Sequence, residues 1–211
     1  MAKISNTEVQ YLSDSIFASG YPMMDEAPEQ SEICQTELGI ERYILNRSKN
    51  NYESHIKRAT YLANAKGGGH DQFLTGIVVQ FDMTFSQKAW VEAERYTFLN
   101  FVSSMSTMHR IKNFNIGTMC NEYVMPEAIA LLERLQKEYN EASPENKKEA
   151  QLRLLYNTPS GFELTARMVT NYRCLKNIYE QRRHHKLPDW QVFCDWVEKL
   201  PYAKELITGG R

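Results

Sequence analysis

No apolar run in this chain approaches the roughly 20 residues a helix needs to cross a bilayer, so no membrane span is expected. The first residues, Met1-Ala2-Lys3-Ile4-Ser5-Asn6, lack the apolar core of a secretory signal. Cysteine is scarce. Cys34, Cys120, Cys174 and Cys194 are scattered without a CxxC pair and read as reduced thiols of a cytoplasmic protein. Ligand pairs at zinc spacing are missing, and the adjacent His184 and His185 cannot share one helical face, so no metal site is expected. Charge of one sign is also lacking. A formal net charge of −1 leaves no global field to hold a nucleic acid, and a recognised phosphate would belong to a small ligand met by a few placed arginines. Neither GxGxxG nor GxxxxGK(S/T) occurs, and no nucleophile–base spacing suggests a hydrolase.

What remains is ordinary globular material. The 211 residues are 42% hydrophobic and 24% charged, without repeats, low-complexity tracts or an internal linker. That fits a single domain over residues 1–211 with a sizeable core. Residues 3–11 alternate weakly, as a first strand would, and residues 20–36 read as loop. Residues 37–65 look helical in pieces, and Gly67-Gly68-Gly69 is a break that could cradle a phosphate with its amides or simply turn the chain before a strand. Residues 76–85 carry β-branched and aromatic side chains at near-alternate positions and form the best strand candidate.

Ser86 can cap a helix running to about residue 102, whose stripe Val91, Arg95, Phe98, Val102 places an arginine in a core-facing row. The hydroxyl-rich 103–109 segment turns away from it. Pro126 opens a helix with Ala128, Leu131, Leu132, Leu135 and Tyr139 inward, and Ser143-Pro144-Glu145 caps another that runs to about Tyr156. Together they read as an antiparallel helical hairpin inserted at about residues 124–156. Residues 161–169 follow as strand, and Pro188 starts a last helix carrying Trp190, Val192, Phe193 and Trp196. The fold class implied is α/β (α+β), a mixed sheet flanked by helices.

The most telling stretch is Asn171 to Arg182. Its apolar residues Leu175, Ile178 and Tyr179 have helical spacing, and Asn171 and Arg182 fall on the Leu175 stripe. An arginine on a core-facing stripe is costly unless something anionic or planar meets it. The helix is therefore expected to look into a polar, ligand-filled cleft. The bland alternative pairs Arg182 with Glu180 or Asp189, and Arg95 with Glu92 or Glu94.

The order of these features resembles the flavin-dependent thymidylate synthases, over residues 68–109 and 153–196. The family's Asn-x-Arg-x-Leu, followed seven residues later by arginine, is matched by Asn171, Arg173, Leu175 and Arg182. Its Arg-His-Arg, seven or eight residues and then Ser, is matched in part by Arg95-Tyr96-Thr97 and Ser106. Tyr96 and Thr97 replace a flavin-touching pair, Gly76 stands where a flavin-contacting histidine is usual, and Glu92 where a glutamine meets substrate. Thr107-Met108-His109 replaces the Arg-Tyr pair that normally follows the serine.

The resemblance implies an enzyme using FAD, NADPH and methylenetetrahydrofolate on C5 of a pyrimidine deoxynucleotide such as dUMP, with methylation or hydroxymethylation as outcome. It implies substrate-binding roles for Glu92, Arg95, Ser106, Arg153 and Arg182. It implies flavin-side roles for His70, Asn171 and Arg173. It further implies a homotetramer with sites at subunit interfaces. With Tyr96 and Thr97 in place, the cofactor is held by other groups, bound differently, or lost. A catalytically inert nucleotide-binding protein on the same fold and a structural protein whose arginines are all surface ion pairs are the alternatives.

Overall fold

Strand β2 (Val78–Ser86) shows why a sheet forms here. Val79, Phe81, Met83 and Phe85 are fully buried, while the alternate residues Val78, Gln80, Asp82 and Thr84 lie half-buried on the opposite face. The computed structural model describes residues 1–26, 52–65 and 69–209. The described strands besides β2 are β1 (Lys3–Gln10), β3 (Asn100–Ser104) and β4 (Glu163–Asn171), in the order β1-β2-β4-β3. β2 pairs with β4 along its whole length, from Val78↔Asn171 to Ser86↔Glu163. The α/β class holds, but the sheet expected as mixed is antiparallel in all three pairings.

The described helices are α1 (Leu12–Ala18), α2 (Tyr52–Asn64), α3 (Gln87–Ala93), α4 (Thr107–Arg110), α5 (Ile116–Met119), α6 (Pro126–Glu141), α7 (Lys147–Tyr156), α8 (Tyr172–Arg182) and α9 (Pro188–Val197). Helices α8 and α9 supply Leu175, Ile178, Trp190 and Phe193 to the core under the sheet. Phe85 meets Trp190 edge-on with ring centroids 5.2 Å apart, a geometry the ring quadrupoles favour. Each such large apolar side chain contributes about 1.5–3 kcal/mol through burial. A second, smaller core joins Ile111, Ile116, Leu132, Leu135, Leu154 and Phe162, and holds the antiparallel hairpin of α6 and α7. Gln136 on α6 ties it to the chain after β3 by donating to the Ile111 and Phe114 carbonyls at 2.7 and 2.8 Å.

Several boundaries differ from expectation. The helix after Ser86 stops at Ala93, and residues 100–104 form edge strand β3. Val91, Phe98 and Val102, expected to face the core, are exposed, because the buried row is Ala89, Trp90, Ala93, Tyr96 and Leu99. Pairing with β4 outweighs the helical spacing of this aromatic, β-branched stretch. The helix expected from Ser143 begins at Lys147, after Asn146. Of the loop read at 20–36, Tyr21–Met23 is a 3₁₀ turn and residues from 27 lie outside the described ones. Of the 37–65 stretch, α2 is described and 37–51 lie outside. In the glycine run only Gly69 is described, in a turn with φ +69°.

Candidate functional site

Helix α8 starts where β4 ends, and Asn171 makes the junction. Its Oδ1 accepts from the Cys174 amide at 2.9 Å and satisfies a donor that the first helical turn leaves open. A cleft of about 580 Å³ opens beside this junction, between the 3₁₀ turn Gln72–Gly76, the turn after α3 and the outer face of α8. Arg95, Tyr96, Phe98, Asn171, Arg173 and Asn177 are among the side chains lining it. Asp71 anchors one wall, accepting from Arg173 Nε at 3.1 Å and Lys176 Nζ at 3.0 Å, while Arg173 also donates to Gln72 Oε1 at 2.6 Å. Burial works to raise the Asp71 carboxyl, but the bonds and charges of Lys176 and Arg173 outweigh it and hold the group below its usual range. One carboxylate is thus shared by two cations, and one positive charge of the three groups is left over. Among the described residues the Arg95 guanidinium has no ion-pair or side-chain hydrogen-bond partner. Among the described residues the cleft thus offers the Arg95 guanidinium, amide nitrogens of Asn171 and Asn177 with no hydrogen-bond acceptor, and the exposed ring of Phe98, with Glu180 also in its lining.

Behind the cleft wall lies a second polar cluster. Glu92 Oε2 accepts from Arg182 at 2.9 Å and from Trp190 Nε1 at 3.1 Å, and His185 Nε2 lies 3.2 Å from it. Lys88 approaches the other oxygen at 3.6 Å. Arg182 Nε donates to the Tyr96 hydroxyl at 2.7 Å, and its guanidinium lies over the Trp190 ring at 4.8 Å. The side chains of Arg182 and Glu92 are only 13% and 18% exposed. Burial pushes the Glu92 carboxyl up, yet the Trp190 bond and the charges of His185, Arg182 and Lys88 bring it below its usual value. The arginine on the core-facing stripe is thus met by an anion and a planar ring, both from this chain, and its carboxylate partner is Glu92, in place of Glu180 or Asp189.

Of the residues singled out in the sequence, Arg95, Asn171 and Arg173 come together in the cleft. Glu92 and Arg182 lie on the far side of Tyr96 from it. His70 is exposed in the turn just before Asp71. Ser106 caps α4, accepting from the His109 amide at 3.4 Å. Arg153 sits exposed on α7, with Glu138 at 3.6 Å. Within one chain neither Ser106 nor Arg153 reaches the cleft lining. Gly76 has a local reason to be glycine: a Cβ there would stand 2.5 Å from the Ser15 hydroxyl. The sequence reading missed Asn177, Lys176 and the cleft role of Phe98. The row Arg173, Asn177, Glu180 at four- and three-residue spacing was a readable polar stripe on α8.

Solved structures matched over nearly the whole chain give it the fold of the flavin-dependent thymidylate synthases. ThyX from Helicobacter pylori, complexed with FAD and dUMP, matches it with a TM-score of 0.69 at 15% identity over 98% of each chain. A second structure of that enzyme with FAD and dUMP gives 0.61 at 16% identity, covering 99% of this chain and 98% of the other. The UMP/dUMP methylase PolB from Streptomyces cacaoi, bound with 5-Br dUMP, gives 0.59 at 12% identity, covering 99% and 94%. At these identities the likeness is one of fold. No protein-family model and no curated protein matches the sequence.

Proposed function

We propose that the chain binds a pyrimidine deoxynucleotide in the Arg95 cleft and transfers a one-carbon unit to C5 of its base. The observation that carries this reading is the Arg95 guanidinium, without a partner among the described residues, in one cleft with the amides of Asn171 and Asn177 and the exposed ring of Phe98, on a fold in which ThyX is complexed with dUMP and PolB is bound with 5-Br dUMP. A guanidinium takes the phosphate of the nucleotide and Phe98 stacks on the face of its base, while the amides are suited to the carbonyls of a second flat heterocycle, a flavin ring. With methylenetetrahydrofolate as donor the carbon arrives at the formaldehyde level. A methyl product then needs a hydride, ultimately from NADPH, whereas a hydroxymethyl product needs water. FAD, when bound, supplies that hydride. The residues fit the ring end of a flavin better than its pyrophosphate, because the carboxylates Asp71 and Glu180 share the lining with Arg95, Arg173 and Lys176 and leave little net positive charge to meet two phosphates. Asn171, Asn177 and Arg173 are the groups that would hold the flavin ring.

A second copy of the chain belongs to this proposal. Edge strand β3 is exposed at all five positions, Phe101 and Val102 included, and an apolar edge of this kind is normally covered. Ser106, directly after it, and Arg153 reach a site only across such a contact. A second reading, an inert nucleotide-binding protein, is favoured by one observation: Arg182 is already engaged by Glu92 and Tyr96. Purified protein tests both. Absorbance at about 450 nm or uptake of added FAD, with a melting temperature raised by dUMP, supports the enzyme. A colourless protein stabilised by dUMP supports the inert binder. Indifference to dUMP, dCMP and FAD removes both.

A further inference from the structure

We infer that Tyr96 and Gln181 are positioning residues that decide which end of the Asn177 amide the cleft displays. This rests on the reading of the Arg95 cleft as the ligand site. The ordering group is Arg182, because a guanidinium can only donate. Its Nε donates to the Tyr96 hydroxyl at 2.7 Å, and Glu92 holds the guanidinium in place at 2.9 Å. An oxygen loaded in this way directs its own proton elsewhere, and the Tyr96 hydroxyl donates to Gln181 Oε1 at 3.1 Å. Gln181 is left with Nε2, which donates to Asn177 Oδ1 at 2.9 Å, one helical turn back on α8. Asn177 lines the cleft, so what it has for a ligand is Nδ2 with its N–H groups. The opposite orientation of Gln181 would aim a second donor at the Tyr96 oxygen and leave the partly buried hydroxyl proton without an acceptor. Bonds that run head to tail from one donor also strengthen one another. Asn171 shows the same end, since its Oδ1 is engaged by the Cys174 amide at 2.9 Å. The two amides thus present donors, and the ring edge they receive carries acceptors: a carbonyl of a flavin, not an amino group. The relay uses only Nε of Arg182. Its Nη2 has no partner among the described residues, so Arg182 can meet a ligand while it sets the relay.

The test uses Gln181→Glu, Asn177→Ala, their double variant and Tyr96→Phe, with FAD as the probe. A carboxylate at position 181 still accepts from the Tyr96 hydroxyl but has no hydrogen for Asn177, which must turn its Nδ2 toward it and show the cleft an oxygen. Gln181 and Asn177 are both exposed, so these substitutions keep the fold. FAD affinity, read by flavin fluorescence titration, is expected to fall about tenfold in Gln181→Glu and to differ by less than about twofold between Asn177→Ala and the double variant. Unchanged affinity in Gln181→Glu overturns the inference. So does a loss of equal size in the Asn177→Ala background, which is the effect of the added charge alone. The part of Tyr96 is read without ligand, by NMR of the side-chain amides. In Tyr96→Phe, which removes only the hydroxyl, the Gln181 amide protons are expected to exchange with water several-fold faster than in the parent. Equal exchange in the two proteins overturns the inference as well. Because that readout needs no ligand, a parent that takes up no FAD refutes the reading of the cleft separately.

Discussion

Replacing Glu92 by glutamine removes one negative charge from beneath Lys88, Arg182, His185 and the Trp190 indole. The amide oxygen can still accept one hydrogen bond, so packing and one contact survive. The loss is the counter-ion of a guanidinium only 13% exposed. Breaking a fully buried pair costs about 3–5 kcal/mol. With some solvent access and one bond retained, about 2 kcal/mol is expected here, a fall of roughly 4–8 °C in melting temperature for a chain of this size. The pH dependence gives a second handle. The folded-state carboxyl titrates below its usual 4.5, so the native state binds fewer protons than the unfolded chain just below that value. Its contribution is complete above about pH 4.5 and is lost as pH falls through the folded value. Thermal unfolding across pH 3–7 should show a shallower acid limb in Glu92→Gln than in the parent. It should not become flat, since Asp71 is depressed in the same direction. The exposed neighbour Glu94→Gln is the control and should move the melting temperature by no more than ordinary surface changes do. A Glu92→Gln protein that melts like the parent, with the same acid limb, would refute the reasoning.

Asn171→Ala should cost about 1 kcal/mol by uncapping α8 and should weaken ligand binding; Asn171→Asp keeps the cap but removes the free amide, so calorimetry should show near-parental stability with the binding loss intact. Leu154→Ala, at the centre of the smaller core, should cost about 2–5 kcal/mol in denaturant unfolding. Sizing in solution should show an oligomer, a homotetramer by resemblance, and Val102→Lys on the exposed edge strand should shift it toward smaller species; a parent that runs as a strict monomer contradicts the shared-site reading of Ser106 and Arg153.

Local chemistry was the legible part. Alternation marked β2, Ser86 capped α3 through the Ala89 amide as expected, and Pro126 and Pro188 opened their helices at the first turn. Asn171, Arg173 and Arg95, which share the cleft lining, were singled out by the match to the family's motifs, while the helical stripe that also pointed to Arg95 does not form. What misled was a coincidence of spacing. Val91, Phe98 and Val102 imitate a helical stripe, while the decision between helix and strand at 100–104 lay in hydrogen bonds to β4, more than sixty residues away. The same distance in sequence hid the partner of Arg182. Glu180 and Asp189 are near in sequence, but Glu92 is brought in only when α3 and α8 pack around Tyr96. Asp71 likewise neutralises Arg173 across a hundred residues. Pairings of this kind decide which arginines are free to bind a ligand, and no local pattern reports them.

The central claim is that Arg95 is the cation that receives a nucleotide phosphate in this cleft. Its most direct test is the affinity of the parent and of Arg95→Gln for dUMP, measured by titration calorimetry at two salt concentrations. The account predicts measurable binding to the parent, weakened by salt, and a loss of about tenfold or more in Arg95→Gln with little salt dependence left. Equal affinity in the two proteins, or no binding of dUMP to the parent, would contradict it.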